Sequence, residues 1–176
     1  MPNAGEVLDT LEGEALFDPS AGEILPSGTY PAHVKQLNVY QRTTRYGSEA
    51  QVYVPVYLIA PEAGEHAGVT VYDTGIWRFV ADKDKTTQRV VVGQGNAQYK
   101  KLLETFDVEI PTVSNGEGRV LYRLPEVTEN DIVGKPVMID VHHEEWTGRF
   151  GEKRKAAKAK TNHRWADGKN LEQDSK

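Results

Sequence analysis

The sequence predicts a mainly β fold: a small barrel of about five to six strands with one helix and flexible polar tails. Three observations predict it. The first extended segment alternates as Tyr30, Ala32 and Val34, then slips by one residue to Leu37 and Val39, the mark of a β-bulge near Lys35-Gln36. A strand bent in this way suits a small barrel, where it serves both halves of the closed sheet. Short alternating segments then recur between turn residues, and one segment alone carries helical spacing.

Residues 1–25 hold scattered apolar positions (Val7, Leu8, Leu11, Leu16, Phe17) among acids and predict a short helix or a loose arm. The turn Leu25-Pro26-Ser27-Gly28 follows, and the domain proper is expected over 26–166. After the first strand, residues 41–49 read as a loop. In residues 51–59, Val52, Val54, Val56 and Leu58 form one face, with Tyr53 and Tyr57 on the other. Pro55 cannot donate to a ladder, so this strand lies at an edge or is interrupted there. Residues 61–68 read as a turn and 69–72 as a third strand. Residues 75–80 continue extended, with Trp77 and Phe79 on one side.

A charged loop follows at 81–89, then a short extended piece at 90–92. Asn96 stands where a helix cap would. Beyond it, Tyr99, Leu102, Leu103 and Phe106 fall at i, i+3, i+4 and i+7, one buried helical face. Residues 119–124 and 136–143 read as later strands, with Val137, Ile139 and Val141 facing inward. Around Thr147-Gly148 the chain turns over, so 147–165 is expected to be a basic hairpin or extension. Residues 167–176 read as a disordered tail.

The chain has 176 residues, enough for one domain, and no cysteine, which excludes a disulfide framework, a zinc ribbon and a thiol nucleophile. No apolar run reaches the roughly 18 residues of a membrane span, and the N-terminus lacks a signal-peptide layout, so no membrane partner is expected. Net charge is −5, but its distribution matters more. Residues 1–34 carry six acids and no Lys or Arg, whereas 149–165 carry seven Lys and Arg against Glu152, a local +6. Such a stripe can meet a polyanion whatever the total charge, because binding depends on the cations that contact phosphates.

Arg149, Phe150, Lys153, Arg154, Lys155, Lys158 and Lys160 are therefore the strongest candidates for nucleic-acid contact, with Arg164-Trp165 just beyond. Closely spaced cations track a phosphate backbone and aromatics stack on bases, the two ingredients of sequence-tolerant single-strand binding. The ordinary alternative is a solvated hairpin tip or a helix with an exposed face. Tyr53, Tyr57, Tyr72, Trp77 and Phe79 come from neighbouring elements, and an OB-fold binds nucleic acid across such a sheet face. Of these, Tyr53, Tyr57 and Trp77 are taken as stacking candidates on the strength of the group, since each taken alone better suits a core or half-buried place. Arg42, Arg45 and Tyr46 lie in the first hairpin loop, which either borders the groove as in that fold or is an ordinary polar loop.

His142-His143-Glu144-Glu145 offers ligand chemistry, but neighbours on a strand point to opposite faces, so no metal site is expected. Gly93-Gln94-Gly95 precedes the helix without the Lys-Ser/Thr of a phosphate loop. Asp73, Asp82 and Asp84 lack the second carboxylate cluster and lysine of a nuclease. No catalytic residue and no cofactor are expected, and the chain is read as a binder and not an enzyme.

The run Leu25-Pro26-Ser27-Gly28-Thr29-Tyr30-Pro31-Ala32, then a hairpin, Gly68-Val69-Thr70-Val71-Tyr72-Asp73, a Leu-rich helix and Asp131-Ile132-Val133-Gly134-Lys135-Pro136-Val137 resembles a family of phage-encoded proteins. These sit among recombination and replication genes and are often labelled only as a domain of unknown function. The resemblance spans about residues 25–145. It implies an OB-like barrel that binds single-stranded DNA in the cytoplasm of a host cell, with phage or host replication and recombination proteins as further partners. Self-association stays open. Phage and bacterial single-strand binders commonly end in an acidic, aromatic-tipped tail, whereas here the acids are at the other end, where the arm is expected to compete with DNA for the groove, to solubilise, or to dock on the barrel. The alternatives are a virion decoration module and a small metal-dependent DNA-processing enzyme.

Overall fold

The computed structural model describes residues 12–15, 24–44, 47, 49–80, 82–83, 90–91, 95–114 and 118–171. In chain order the strands are β1 (Gly28–Thr43), β2 (Glu49–Ile59), β3 (Thr70–Asp73), β4 (Ile76–Phe79), β5 (Asp82–Lys83), β6 (Val90–Val91), β7 (Thr112–Ser114), β8 (Val120–Tyr122), β9 (Pro136–Thr147) and β10 (Lys153–His163). Helix α1 (Ala97–Thr105) follows β6, α2 (Glu129–Ile132) follows β8, and a 3-10 turn occupies Pro61–His66.

Around the barrel the order is β1, β2, β3, β10, β9 and back to β1, with β4 added on β2. Every pairing in this sheet is antiparallel except β3 with β10. This is an OB-like barrel of five strands, the mainly β class expected. Its closure depends on β1. Residues 28–33 pair with β9, residues 32–43 pair with β2, and the β2 register shifts between Val34 and Gln36. At the bulge, Val34 N–H donates to Lys135 O (3.1 Å) and Val34 O accepts from Gly134 N–H (2.8 Å). The bend therefore leaves no polar group of Val34 unpaired.

Pro55 does not make β2 an edge. It falls between Tyr53, the last residue paired to β4, and Val56, the first paired to β3. The strand's second neighbour changes there, so a missing N–H costs no ladder bond. Between β3 and β4 the chain turns at Gly75, whose φ is +112°. A Cβ there would come within 3.0 Å of Val52 Cγ1, so the close approach over β2 requires glycine.

The core gathers Ala32, Val34 and Leu37 of β1, Tyr53, Tyr57 and Ile59 of β2, Val137, Ile139 and Val141 of β9, and Tyr99, Leu102, Leu103 and Phe106 at the helix. The helical face matches its spacing. Asn96 marks the start of α1 but does not cap it with its side chain. Instead Asn96 accepts from Phe79 N–H (2.7 Å) and donates to Phe79 O (3.0 Å), tying the helix to β4. The 119–124 segment forms a hairpin, with β8 pairing β7. Of the expected C-terminal tail, 167–171 bonds back onto the barrel: His33 Nε2 meets Lys169 O at 2.7 Å, and Leu171 N–H donates to Gly134 O at 2.8 Å. Among the described residues no helix is long and apolar enough to cross a membrane.

Candidate nucleic-acid interface

β2 decides which aromatics can meet a ligand. Tyr53 is 1 % exposed and Tyr57 is fully buried, so neither presents a ring for stacking. The expectation for these two is corrected: their face of β2 looks inward, while Val52 and Val54 are only half-buried on the outside. Partners inside explain the inversion. Tyr53 packs against Tyr99 with ring centroids 4.9 Å apart, and Tyr99 Oη donates to Pro125 O (2.6 Å). Tyr57 Oη donates to Asp73 Oδ2 (3.0 Å), and Gly75 N–H donates to Asp73 Oδ1 (2.9 Å). Thr105 Oγ1 donates to Asn162 Oδ1 (2.8 Å) beside them.

These polar groups lie beneath the β3–β10 seam, which has only two paired positions, Lys158 with Tyr72 and Ala159 with Asp73. Burial pushes the Asp73 carboxyl up to about 6, against the pull of its hydrogen bonds from Gly75 and Tyr57. Burial first, and the Asp73 charge second, also raise the Tyr57 hydroxyl well above its ordinary value. Asp73 is thus an interior group and not an accessible carboxylate.

The outer face carries a different set. Residues directly opposite in a sheet share a side, so Tyr40, Val52 and Trp77 form one row. Val56, Tyr72 and Lys158 form a second, displaced along β2 by four residues or ~13 Å. Trp77 is 38 % exposed and stacks on Phe79 (5.5 Å, 14° between planes), so the pair offers one broad apolar surface. Tyr72 is 48 % exposed. Each tyrosine has a cation over its ring: Arg42 above Tyr40 at 5.2 Å and Lys158 above Tyr72 at 5.3 Å. Tyr40 was not singled out from the sequence, although the alternation of β1 past Val39 would have pointed to it.

The basic segment is a strand. β10 pairs antiparallel with β9 from Lys153 opposite Thr147 to His163 opposite Met138, with a shift at Lys160. Alternation therefore divides the stripe. Arg154 and Lys158 share the side of Trp146 and His142, whereas Lys153 and Lys155 share the other side with His143 and Glu145. Lys160 is the extra residue of the bulge and is exposed. Arg154 pairs with Glu152 at 3.0 Å, while Lys153, Lys155, Lys158 and Lys160 form no ion pair among the described residues. Trp146 is exposed, and Arg149 and Phe150 occupy the tip beyond the ladder.

The two hairpin ends leave the barrel in opposite directions. β9 continues past the start of β1, where Gly28 is opposite Val141, while the β1–β2 hairpin closes at the far end of β1. The outer face lies between them. Arg42 is exposed near the β1–β2 end. Arg45 and Tyr46 lie outside the described residues, as do Asp84, Gly93 and most of residues 1–23. In the His142–Glu145 run, His143 Nε2 bonds Leu25 O at 2.8 Å. Among the described residues no three His, Asp or Glu side chains converge as a metal site would require.

A second polar cluster sits at the β1–β9–β10 junction. Asp140 accepts from Thr29 Oγ1 (2.7 Å), from Thr161 Oγ1 and from His163 Nε2 (2.6 Å). Burial alone would raise its carboxyl, but these hydrogen bonds and the His163 charge together hold it well below the usual carboxylate range. No protein-family model, curated protein or solved structure matches the chain.

Proposed function

We propose that the chain binds single-stranded DNA across the outer face of β1, β2, β4, β3 and β10, as the OB-like barrel and the resemblance to phage recombination and replication proteins favour. One observation carries the reading. The outer face interleaves aromatic rings with cations, Arg42 over Tyr40 and Lys158 over Tyr72, on the same side as the stacked Trp77 and Phe79. Bases present a π-face whatever their sequence, and phosphates between them need cations at intervals, so this pattern suits a single strand without base-specific readout. A duplex would hide its base faces from these rings.

The test is fluorescence anisotropy with labelled dT and duplex oligonucleotides at two or more salt concentrations, without divalent ion. Binding to dT should exceed binding to duplex and fall linearly on a log–log salt plot. Replacing Arg42, Arg154 and Lys158 together by Ala should flatten that slope by about 2, since each single-strand phosphate contact contributes roughly 0.7. A wild-type slope in the triple variant would remove this face from the binding site. A requirement for a divalent ion, with product formed, would make the protein an enzyme instead. Absence of binding, with co-purification in particles, would favour a virion component.

A further inference from the structure

We propose that the tip of the β9–β10 hairpin is a wedge that unstacks bases where single-stranded DNA meets duplex, with Phe150 as the inserted side chain. This rests on the single-strand reading above and adds a junction contact to it. Phe150 is 88 % exposed, more than any other large hydrophobic side chain among the described residues. The turn that presents it is braced. Gly148 N–H donates to Glu152 O (2.7 Å), Gly151 N–H to Gly148 O (3.1 Å), and Phe150 N–H to the Glu152 carboxylate (3.0 Å). Glu152 in turn holds Arg154, and Gly151 takes the φ of +82° that the reversal needs.

The ladder also carries the ring well away from the barrel. The ladder runs unbroken from Lys153 opposite Thr147 to Ala159 opposite Val141, and Lys158 is the first β10 residue beside β3. Lys153 stands five strand positions, or ~17 Å, from Lys158, so the tip lies farther still beyond the Tyr72 row. Cations flank it: Arg149 and Lys153 are exposed, and Arg154 faces the same side as Trp146. Architectural proteins part a base step by inserting an apolar side chain, and the cations beside Phe150 would meet phosphates next to the gap.

A second copy is the other candidate receptor. The chain has an open, mainly apolar groove of about 800 Å³ between β4, α1 and the β7–β8 hairpin, lined by Phe79, Val113, Val120 and Tyr122. Charge argues against it as the seat of Phe150. Arg78, Lys100 and Arg123 also line the groove, leaving it net positive after the ion pairs of Arg78 with Glu126 and Lys100 with Glu104. Arg149, Lys153 and Arg154 would then meet like charge, whereas DNA offers the opposite sign.

The experiment compares the full chain with Phe150→Ala and Phe150→Trp on dT and on a forked duplex carrying 2-aminopurine at the junction. Wild-type protein should raise 2-aminopurine fluorescence on the fork. Phe150→Ala should lose roughly tenfold in fork affinity, the size expected for one stacking contact, and most of the fluorescence rise, a loss larger on the fork than on dT. Phe150→Trp should retain the rise. Wild-type binding to dT without any rise, or a full rise in Phe150→Ala, overturns the wedge. DNA-free self-association that Phe150→Ala abolishes overturns it too, by giving the tip to a second copy. Failure of wild type to bind dT is a separate result and overturns the single-strand reading beneath it.

Discussion

The inner and outer faces of the barrel both display tyrosine, with opposite surroundings. Inside, Tyr57 and Tyr53 have their rings packed, and the Tyr57 hydroxyl is bonded to Asp73. Outside, Tyr40 and Tyr72 are half exposed, each with a cation over its ring. The same side chain thus fills the core where a polar partner is buried with it, and stays half exposed where a cation lies over its ring. What separates the two is the partner, since a buried hydroxyl must be satisfied and an exposed one need not be.

The largest expected effect tests the inner face. Tyr57→Ala opens a cavity and strands Asp73, so denaturant unfolding should show a loss of about 3–5 kcal/mol. Tyr72→Ala should leave the unfolding midpoint nearly unchanged, because its ring is half exposed. Equal losses at the two positions would break the comparison.

Acid titration contrasts Asp73, inside the barrel, with the partly exposed Asp140. The Asp73 carboxyl is raised from 3.8 to about 6 in the folded chain, so its contribution is fully present below 3.8 and lost as pH rises to about 6. Lowering pH from 7 to 4 should therefore stabilise wild type relative to Asp73→Asn by about 2–3 kcal/mol, read from urea midpoints. Asp140 runs the other way. Its folded carboxyl lies below the ordinary value, so its contribution is present above about 4 and lost in stronger acid, a loss that Asp140→Asn should abolish. A flat difference between wild type and Asp73→Asn would show that Asp73 is not titrating in the interior.

The smallest of these effects concerns the outer face alone. Trp77→Ala should weaken dT binding by about 1–3 kcal/mol, with less change in unfolding than Tyr57→Ala. Tryptophan emission in wild type should be quenched on saturation with dT. An unaltered affinity in Trp77→Ala would confine stacking to Tyr40 and Tyr72.

Much of the architecture is local and was legible. The slip after Val34 predicts the bulge that lets β1 serve β9 and β2, because alternation records which side of a strand is buried. Tyr99, Leu102, Leu103 and Phe106 predict the single buried helical face in the same way. Thr147-Gly148 marks the reversal into β10. The candidate site was less legible. Alternation puts Trp77 and Phe79 together on one side of β4, as found, but offers Tyr53 and Tyr57 as surface rings although both are buried.

What the sequence determined by itself was therefore periodicity: where strands bend, where the helix turns its apolar side, and where cations concentrate. Only the tertiary structure decided orientation and grouping. Valine and tyrosine both suit either face of a strand, so the pattern in β2 has two readings until Asp73, Tyr99 and Asn162, distant in sequence, supply the interior partners that draw the tyrosines in. The cations of 153–160 likewise form one run along the chain. Pairing with β9 sends alternate members to opposite sides, because a strand's side chains reverse direction at every residue.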